Sequence, residues 1–359
     1  MTALSSRLPK ILEPVGGGNS AEQWRYANAQ RLERFQFAPP MQGGLLPQRK
    51  STGHALIAQD GRWQDISLPE GCTLKINGTL AVLTLADYAD LELELVSSLS
   101  HAVSPVAAQM QLDIHIGQDA SLRLLDWSVS SGVKIDPALQ MLNLNLHLAN
   151  NATVRHVRLT NLPDGDFVFT KTNVDVNADA HYHYFAFVKG GQQSRHQLTV
   201  CLKEEGACAT LGGAYQLKDS QIAEHALLIE HQAPRTNSNQ HFRGVVDGEA
   251  RGVFQGKVHV HQVAQETDAQ QLHKALLLSP RAEVDAKPEL EIYADNVKCS
   301  HGATVGALDD NALFYLRARG IDETVARQML TDAFIAAVIS EAPCFQEIIA
   351  AEAGIDAAG

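Results

Sequence analysis

The chain has 359 residues, 45% apolar and 19% charged, enough to bury a sizeable core in one large or two ordinary domains. Its 29 basic against 41 acidic residues leave a formal charge of −12. No basic stripe interrupts that acidity, so nucleic acid and anionic membrane surfaces are not expected partners.

Residues 1–48 read as an irregular region with one helical piece. Met1 to Lys10 carry no apolar core of a secretory signal. Gly16 to Asn19 read as a linker, with Ser20 as N-cap of an amphipathic helix over Ala21 to Leu32. Pro39, Pro40, Gly43, Gly44 and Pro47 then close the zone with turn residues.

Residues 49–308 read as a strand-only core. Leu112-Asp-Ile114-His-Ile116 and Leu142-Asn-Leu144-Asn-Leu146-His-Leu148 alternate apolar and polar without a break. The same period marks Leu91 to Leu95, Val174 to Val176, Leu227 to Ile229 and Leu290 to Ala294. A longer repeat overlies it. An apolar strand end, a few polar or small turn residues, an alanine and a new strand recur, with alanines at 120, 152, 180 and 207, spaced 32, 28 and 27 apart. Ala250 and Ala282 carry the same pattern. Recurrence near ~30 residues predicts a coiled sheet, because each coil has one apolar face that only stacking can bury. A small alanine lets the chain turn tightly against the coil below. An irregular sandwich competes, but its turn signals would recur every ~8–12 residues without the longer period.

Residues 309–359 switch to a helical period. Asp310 is the expected cap of a short helix through Leu313, Phe314, Leu316 and Arg317, ended by Gly320. Asp322 is the expected cap of a second, with Val325, Met329, Leu330, Phe334 and Val338 on one broad face and Pro343 beyond its end. The last residues read as a frayed helix or tail. Such helices would hide the open end of a coiled sheet, an edge that invites aggregation. The longest apolar run, Ala333 to Ile339, is far shorter than a membrane span. Five scattered cysteines, at 72, 201, 208, 299 and 344, contain no Cys-x-x-Cys pair and point to free thiols in a reducing cytoplasm.

Cys299 and His301 are the most informative pair. Residues two apart on a strand project from one face, so a soft sulfur and a borderline nitrogen can meet one target. Those donors suit iron, zinc or copper(I), not magnesium or calcium. The pair alone supplies fewer ligands than a complete metal site needs, and a free cysteine is often just a small buried hydrophobe. His259 and His261, with His273, offer a second imidazole group, but we read them as outward polar positions alternating with valines. His181 with His183, His115 and His147 receive the same surface reading. Gly252 to Gly256 with Lys257 has three residues between its glycines where a phosphate loop has four, so no nucleotide is expected there. No Gly-x-Ser-x-Gly nucleophile elbow occurs. A carbohydrate-active β-helix enzyme would need clustered acids beside a basic residue. Outward acids at Glu92, Glu94, Glu289 and Glu291 lack a clear basic partner.

An ordered string of motifs in the last third resembles the SufB/SufD family of iron–sulfur cluster assembly proteins. It comprises Gly252-Val-Phe-Gln-Gly256-Lys-Val-His-Val, Thr267-Asp-Ala-Gln-Gln-Leu272, Leu276-Leu-Leu-Ser279, Lys287-Pro-Glu-Leu-Glu-Ile292 and Lys298-Cys-Ser-His-Gly-Ala-Thr-Val-Gly306. Leu313-Phe-Tyr-Leu-Arg-Ala-Arg-Gly320 and the helix from Ala326 to Phe334 complete it, and Trp24-Arg-Tyr26 is a weaker match. The Cys-Ser-His-Gly-Ala-Thr form resembles the SufD side of the family. The SufB side has His-Glu-Ala-Thr there and a sulfur-handling cysteine about one coil earlier, where this chain has Gln271-Leu-His273. The resemblance implies a right-handed parallel β-helix with short helical regions at both ends, acting as a non-catalytic scaffold. It implies pairing with a SufB-type scaffold, and docking of a SufC-type ATPase on Phe314, Tyr315, Arg317, Met329 and Phe334. It further implies His301 and Cys299 as ligands of iron or of a transient iron–sulfur cluster shared with SufB, a reduced flavin in the complex, and a homodimer for the isolated chain.

Overall fold

The structure is a computed structural model that describes residues 32, 34–40, 48–100, 104–131 and 136–355. The expected N-terminal helix, apart from Leu32, lies outside the described residues, as do Trp24 and Tyr26. Leu32 itself is buried with Phe35 and Phe37 against Leu139, Met141, Phe167 and Phe169.

From Asp90 onward the strands alternate between two sheets, and within each sheet successive members run parallel. The winding is a flattened parallel β-solenoid, with ten strands in one sheet and nine in the other. The predicted coiled sheet is therefore the fold, and the sandwich is not. At the start of the solenoid, β1 (His54–Gln59) and β2 (Arg62–Trp63) pair antiparallel, as do β3 (Cys72–Asn77) and β4 (Leu80–Leu85). Each sheet thus begins with a strand folded back on its neighbour. At the other end β18 (Glu283–Ile292) and β19 (Lys298–Gly306) are simply the last members of their sheets.

Turn chemistry explains the alanine repeat. Asp119, Asn151, Asp179 and Gly206 take positive φ between 54° and 75°, each immediately before one of the repeating alanines. Aspartate, asparagine and glycine are the residues that tolerate this left-handed region best. The alanine N–H then bonds back to the carbonyl three residues earlier, as in Ala152 to Ala149 at 3.1 Å. Ala120, Ala152, Ala180 and Ala207 are all buried and open strands of the ten-strand sheet. Ala250 and Ala282 open strands of the other sheet, at the opposite corner, which is why they fall out of phase with the first four.

The interior of the first coils is aliphatic, with Leu91, Leu93, Leu122, Leu124, Leu144 and Leu146 in one cluster. Later coils place polar groups inside. Tyr215, on β13 (Cys208–Leu217), meets His273 of β17 (Asp268–Leu277) through an oxygen–Nε2 hydrogen bond of 3.0 Å. Gln271 of β17 donates to Gln240 of β15 (Asn237–Val246) at 3.1 Å.

Three helices follow the solenoid: Asp310–Ala318, Glu323–Ile339 and Gln346–Ala353. The first is capped by Asp309 rather than Asp310, its carboxylate accepting from Asn311 N–H at 2.8 Å. Asp322 caps the second as expected, accepting from Thr324 N–H at 2.8 Å. Gly320 sits at φ +86°, the left-handed conformation that ends the first helix. The expected capping of the solenoid's end by these helices is corrected. The second helix packs on β13 and β15, and the third on β11 (His181–Gly190), along the outer face of the ten-strand sheet. Its strands present Val96, Trp127, Val157, Phe185, Phe187 and Val245 outward there, and burying that second apolar face against Ile335, Val338 and Ile349 outweighs covering the end.

Candidate metal and partner site at the end of the solenoid

The register carries Cys299 and His301 to a defined place. Cys299 stacks on Ala269, Ser238, Ala209 and Tyr182, one per coil, and His301 stacks on Gln271, Gln240, Leu211 and Tyr184. The members of both columns below β15 are buried side chains of the solenoid interior. Cys299 and His301 are therefore the outermost rungs of inward-facing columns. No further coil follows among the described residues, so both are reachable from outside. Cys299 is half-buried against the cluster of Val258, Val260, Ala264, Ala269 and Ala294, and His301 is exposed. Burial, followed by the Asp268 carboxylate, pushes the Cys299 thiol above its ordinary value. At neutral pH it is a thiol, and a bound cation would have to displace its proton.

The surroundings suit a partner. Among the described residues β18 and β19 each have one sheet neighbour, so their other edges offer backbone N–H and C=O groups that no described strand pairs. Exposed Ile292, Tyr293 and Val305 lie on or beside these strands. An interior polar column ends just beneath. The Gln271 side-chain oxygen Oε1 is buried without a hydrogen bond under His301, and His273 Nδ1 is likewise unpartnered next to it. Burial holds the His273 imidazole down to about 4, and burial together with His273 holds that of His225 to about 3. Both are neutral donors or acceptors, not charges.

Several sequence expectations resolve differently. His259 and His261 lie on the outer face of the nine-strand sheet, as expected, but His273 does not join them. It is buried on the inner face of the other sheet with Ala269, Gln271 and Ala275, while Leu272 and Leu276 of the same strand lie on the outer face, Leu276 against the cluster that the helices share. Glu94, read as an outward acid, does face outward yet is fully buried. It accepts from Trp127 Nε1 at 2.9 Å and from the backbone N–H of Lys50 at 2.6 Å. Glu92, Glu289 and Glu291 pair with Arg123, Lys287 and Lys257 at 3.0, 2.9 and 2.7 Å. Gly252 and Gly256 are strand residues that make room inside. A Cβ at Gly252 would meet the Tyr215 ring at 2.6 Å, and one at Gly256 would collide with the Gln271 amide. The other histidines read as surface do face outward, with His115 and His147 stacked 4.9 Å apart. Sequence reasoning missed Tyr215, Gln240 and Gln271 as interior groups.

On the helices, Phe314, Tyr315 and Met329 are 73%, 53% and 46% exposed, and Val325 is also outside. Arg317 pairs with Glu323 at 3.2 Å. Phe334 sits apart from them. Its ring lies under the Arg243 guanidinium at 5.0 Å and its carbonyl accepts from Arg243 at 2.9 Å, which ties it to its own solenoid. The single apolar stripe therefore splits into an inner part, Phe334 and Val338, and an outer part, Val325 and Met329. None of the described helices is long and apolar enough to cross a membrane.

The family described as SUF system FeS cluster assembly, SufBD core domain, matches residues 99–334. The iron–sulfur cluster assembly protein SufD of Escherichia coli is 30% identical over 356 residues, covering 89% of this chain and 84% of that one. A SufBD-family iron–sulfur cluster assembly protein of Synechocystis is 33% identical, covering 67% of this chain and 54% of its own length. The chloroplastic protein ABCI7 of Arabidopsis thaliana is 34% identical over 56% of this chain and 42% of its own. With the matched family spanning most of the solenoid and the Escherichia coli relative aligned nearly end to end, this chain belongs to the SufBD family of the SUF iron–sulfur cluster assembly system.

Proposed function

We propose that this protein is a non-catalytic subunit of a cytoplasmic iron–sulfur assembly complex. Its terminal coil pairs with a SufB-type scaffold, and its exposed C-terminal helix residues dock a SufC-type ATPase. The observation that carries the reading is the position of Cys299 and His301 on the last strand of the solenoid, at an edge whose backbone no described strand pairs. A second solenoid placed end to end would continue both sheets and enclose the pair between two chains. His301 is the primary ligand, since a neutral imidazole binds iron without adding charge. Cys299 is the secondary one, releasing its proton as iron or a nascent cluster arrives. The metal is cargo built at the seam, and any flavin acts in the assembled complex. Docking of the ATPase falls to Phe314, Tyr315, Arg317 and Met329, with Phe334 bracing the helix from behind. All five cysteines are free, in keeping with a reducing compartment.

The test is anaerobic isolation of the complex with iron and sulfide quantified, comparing wild type with His301→Ala. The expected result is unchanged recovery of the SufB- and SufC-type partners with iron reduced several-fold. Tagged chain that never recovers either partner from its own host would overturn the assembly, and full iron in His301→Ala would overturn the ligand assignment.

A further inference from the structure

The outer face of the nine-strand sheet carries a row of donor side chains, one per coil. The register runs His115, His147, Asp175, Cys201, Glu230, His259, Glu291. Three members, His147, Asp175 and Glu291, are held by close ion pairs. Asp175 is held by His147 at 3.1 Å and Lys203 at 2.8 Å, and Glu291 by Lys257 at 2.7 Å. Glu230 is different. It accepts from the Gln232 amide at 2.8 Å and has the Cys201 thiol below it in the row, and its basic neighbours are two imidazoles. His259 Nδ1 lies 3.8 Å from Oε1 and His261 Nε2 lies 3.6 Å from Oε2.

Those separations are too long for hydrogen bonds. They are close to the ~3.3–3.5 Å between neighbouring ligands that each lie ~2.0–2.1 Å from one tetrahedral ion. One donor atom from each of the three residues can be chosen so that all lie within 4.8 Å of one another. His261 Nε2 is closed off from solvent and makes no hydrogen bond, so the ring nitrogen aimed at the carboxylate lacks the partner an ion would provide. The two rings stack at 4.3 Å between centroids, and Tyr293 packs edge-on against His259 at 5.6 Å, which fixes the imidazole directions. The lysines beside the row, Lys203 and Lys257, are committed to Asp175 and Glu291.

We propose that Glu230, His259 and His261 form a binding site for one divalent transition-metal ion on the outer face of the solenoid. The site is separate from Cys299 and His301 and independent of the function proposed above. Two imidazoles and one carboxylate suit zinc or ferrous iron, with remaining positions open to water, and disfavour magnesium or calcium. Both histidines belong to one strand and its turn, and Glu230 to the strand stacked beneath. The ion would thus clamp two successive coils just below the exposed end.

Cobalt(II), followed by its visible absorption, is the probe, with zinc as competitor, on the full chain carrying Cys299→Ser and His301→Ala. One equivalent should bind, with a spectrum of nitrogen and oxygen donors and no thiolate charge-transfer band, and zinc should displace it. His259→Ala, His261→Ala and Glu230→Gln should each weaken binding at least tenfold. Should an alanine variant lose its folded circular dichroism, His259→Gln or His261→Asn keeps the position polar and should show the same loss. Absence of binding in the Cys299/His301 background, or binding unchanged in the His259 and His261 variants, overturns the proposal. Neither result bears on cluster assembly, which the His301→Ala comparison decides separately.

Discussion

Buried histidines make this protein's stability pH-dependent at the level of single residues. Burial holds His231 and His273 to about 4 and, with His273, holds His225 to about 3. An unfolded chain protonates its histidines below about 6.5, whereas these three stay neutral in the fold. Stability is therefore intact above that pH and is lost as pH falls through the window down to about 4. The slope is about 1.4 kcal/mol per pH unit for each group, so ~4 kcal/mol per unit for all three. Urea midpoints at pH 7.5, 6 and 5 check this, and a flat profile would contradict the burial argument. Glycine packing gives a second test. Gly252→Ala presses a methyl into the Tyr215 ring and should cost about 1–3 kcal/mol, while Gly306→Ala, with no atom within 4 Å, should be near neutral. Thermal unfolding of the two variants compares them directly.

Among the elements, the helices and the strands under them were unequally legible. Alternation from Leu91 to Ile292 identified the strands because each buries at least one apolar face, and the alanine spacing identified the winding. What alternation could not report is which face points inward once both are covered. In β17, Ala269, Gln271, His273 and Ala275 point inside, while Leu272, Lys274 and Leu276 lie on the other face, where Leu276 packs against the helix-bearing cluster. A reader of period alone assigns that strand the wrong way round. The same covering hid Glu94 and placed the helices along a face, not over an end. That Cys299 and His301 share one face of a strand was legible from their two-residue spacing, which holds whichever side is covered. Truncating the helix's inner face tests the packing. Ile335→Ala should cost about 2–5 kcal/mol and speed amide exchange across Glu323–Ile339 and Gln346–Ala353. By contrast Phe314→Ala, at an exposed position, should shift stability by no more than ~0.5 kcal/mol while weakening ATPase docking in a pull-down.

The whole molecule is a quasi-linear stack in which each coil touches chiefly the coils above and below it. Its two ends are not equivalent. The first coils close with antiparallel pairs, and the last coil ends in β18 and β19 with Ile292, Tyr293 and Val305 exposed. Charge placed there separates folding from association. Ile292→Lys with Val305→Lys should leave the unfolding midpoint within experimental error of wild type. It should reduce recovery of the SufB-type partner at least tenfold in co-purification, and undiminished recovery would place the seam elsewhere.

That asymmetry reaches into how the protein must be made. A terminus that offers open strand edges and bare apolar rings is hazardous for as long as it waits for its mate, since any similar edge will serve as a substitute. On the pairing proposed above, output of this chain in excess of a SufB-type partner should therefore end in self-association, which light scattering of the chain expressed alone would detect. On that same pairing, the geometry of one end thus favours synthesis of the two subunits in matched amounts.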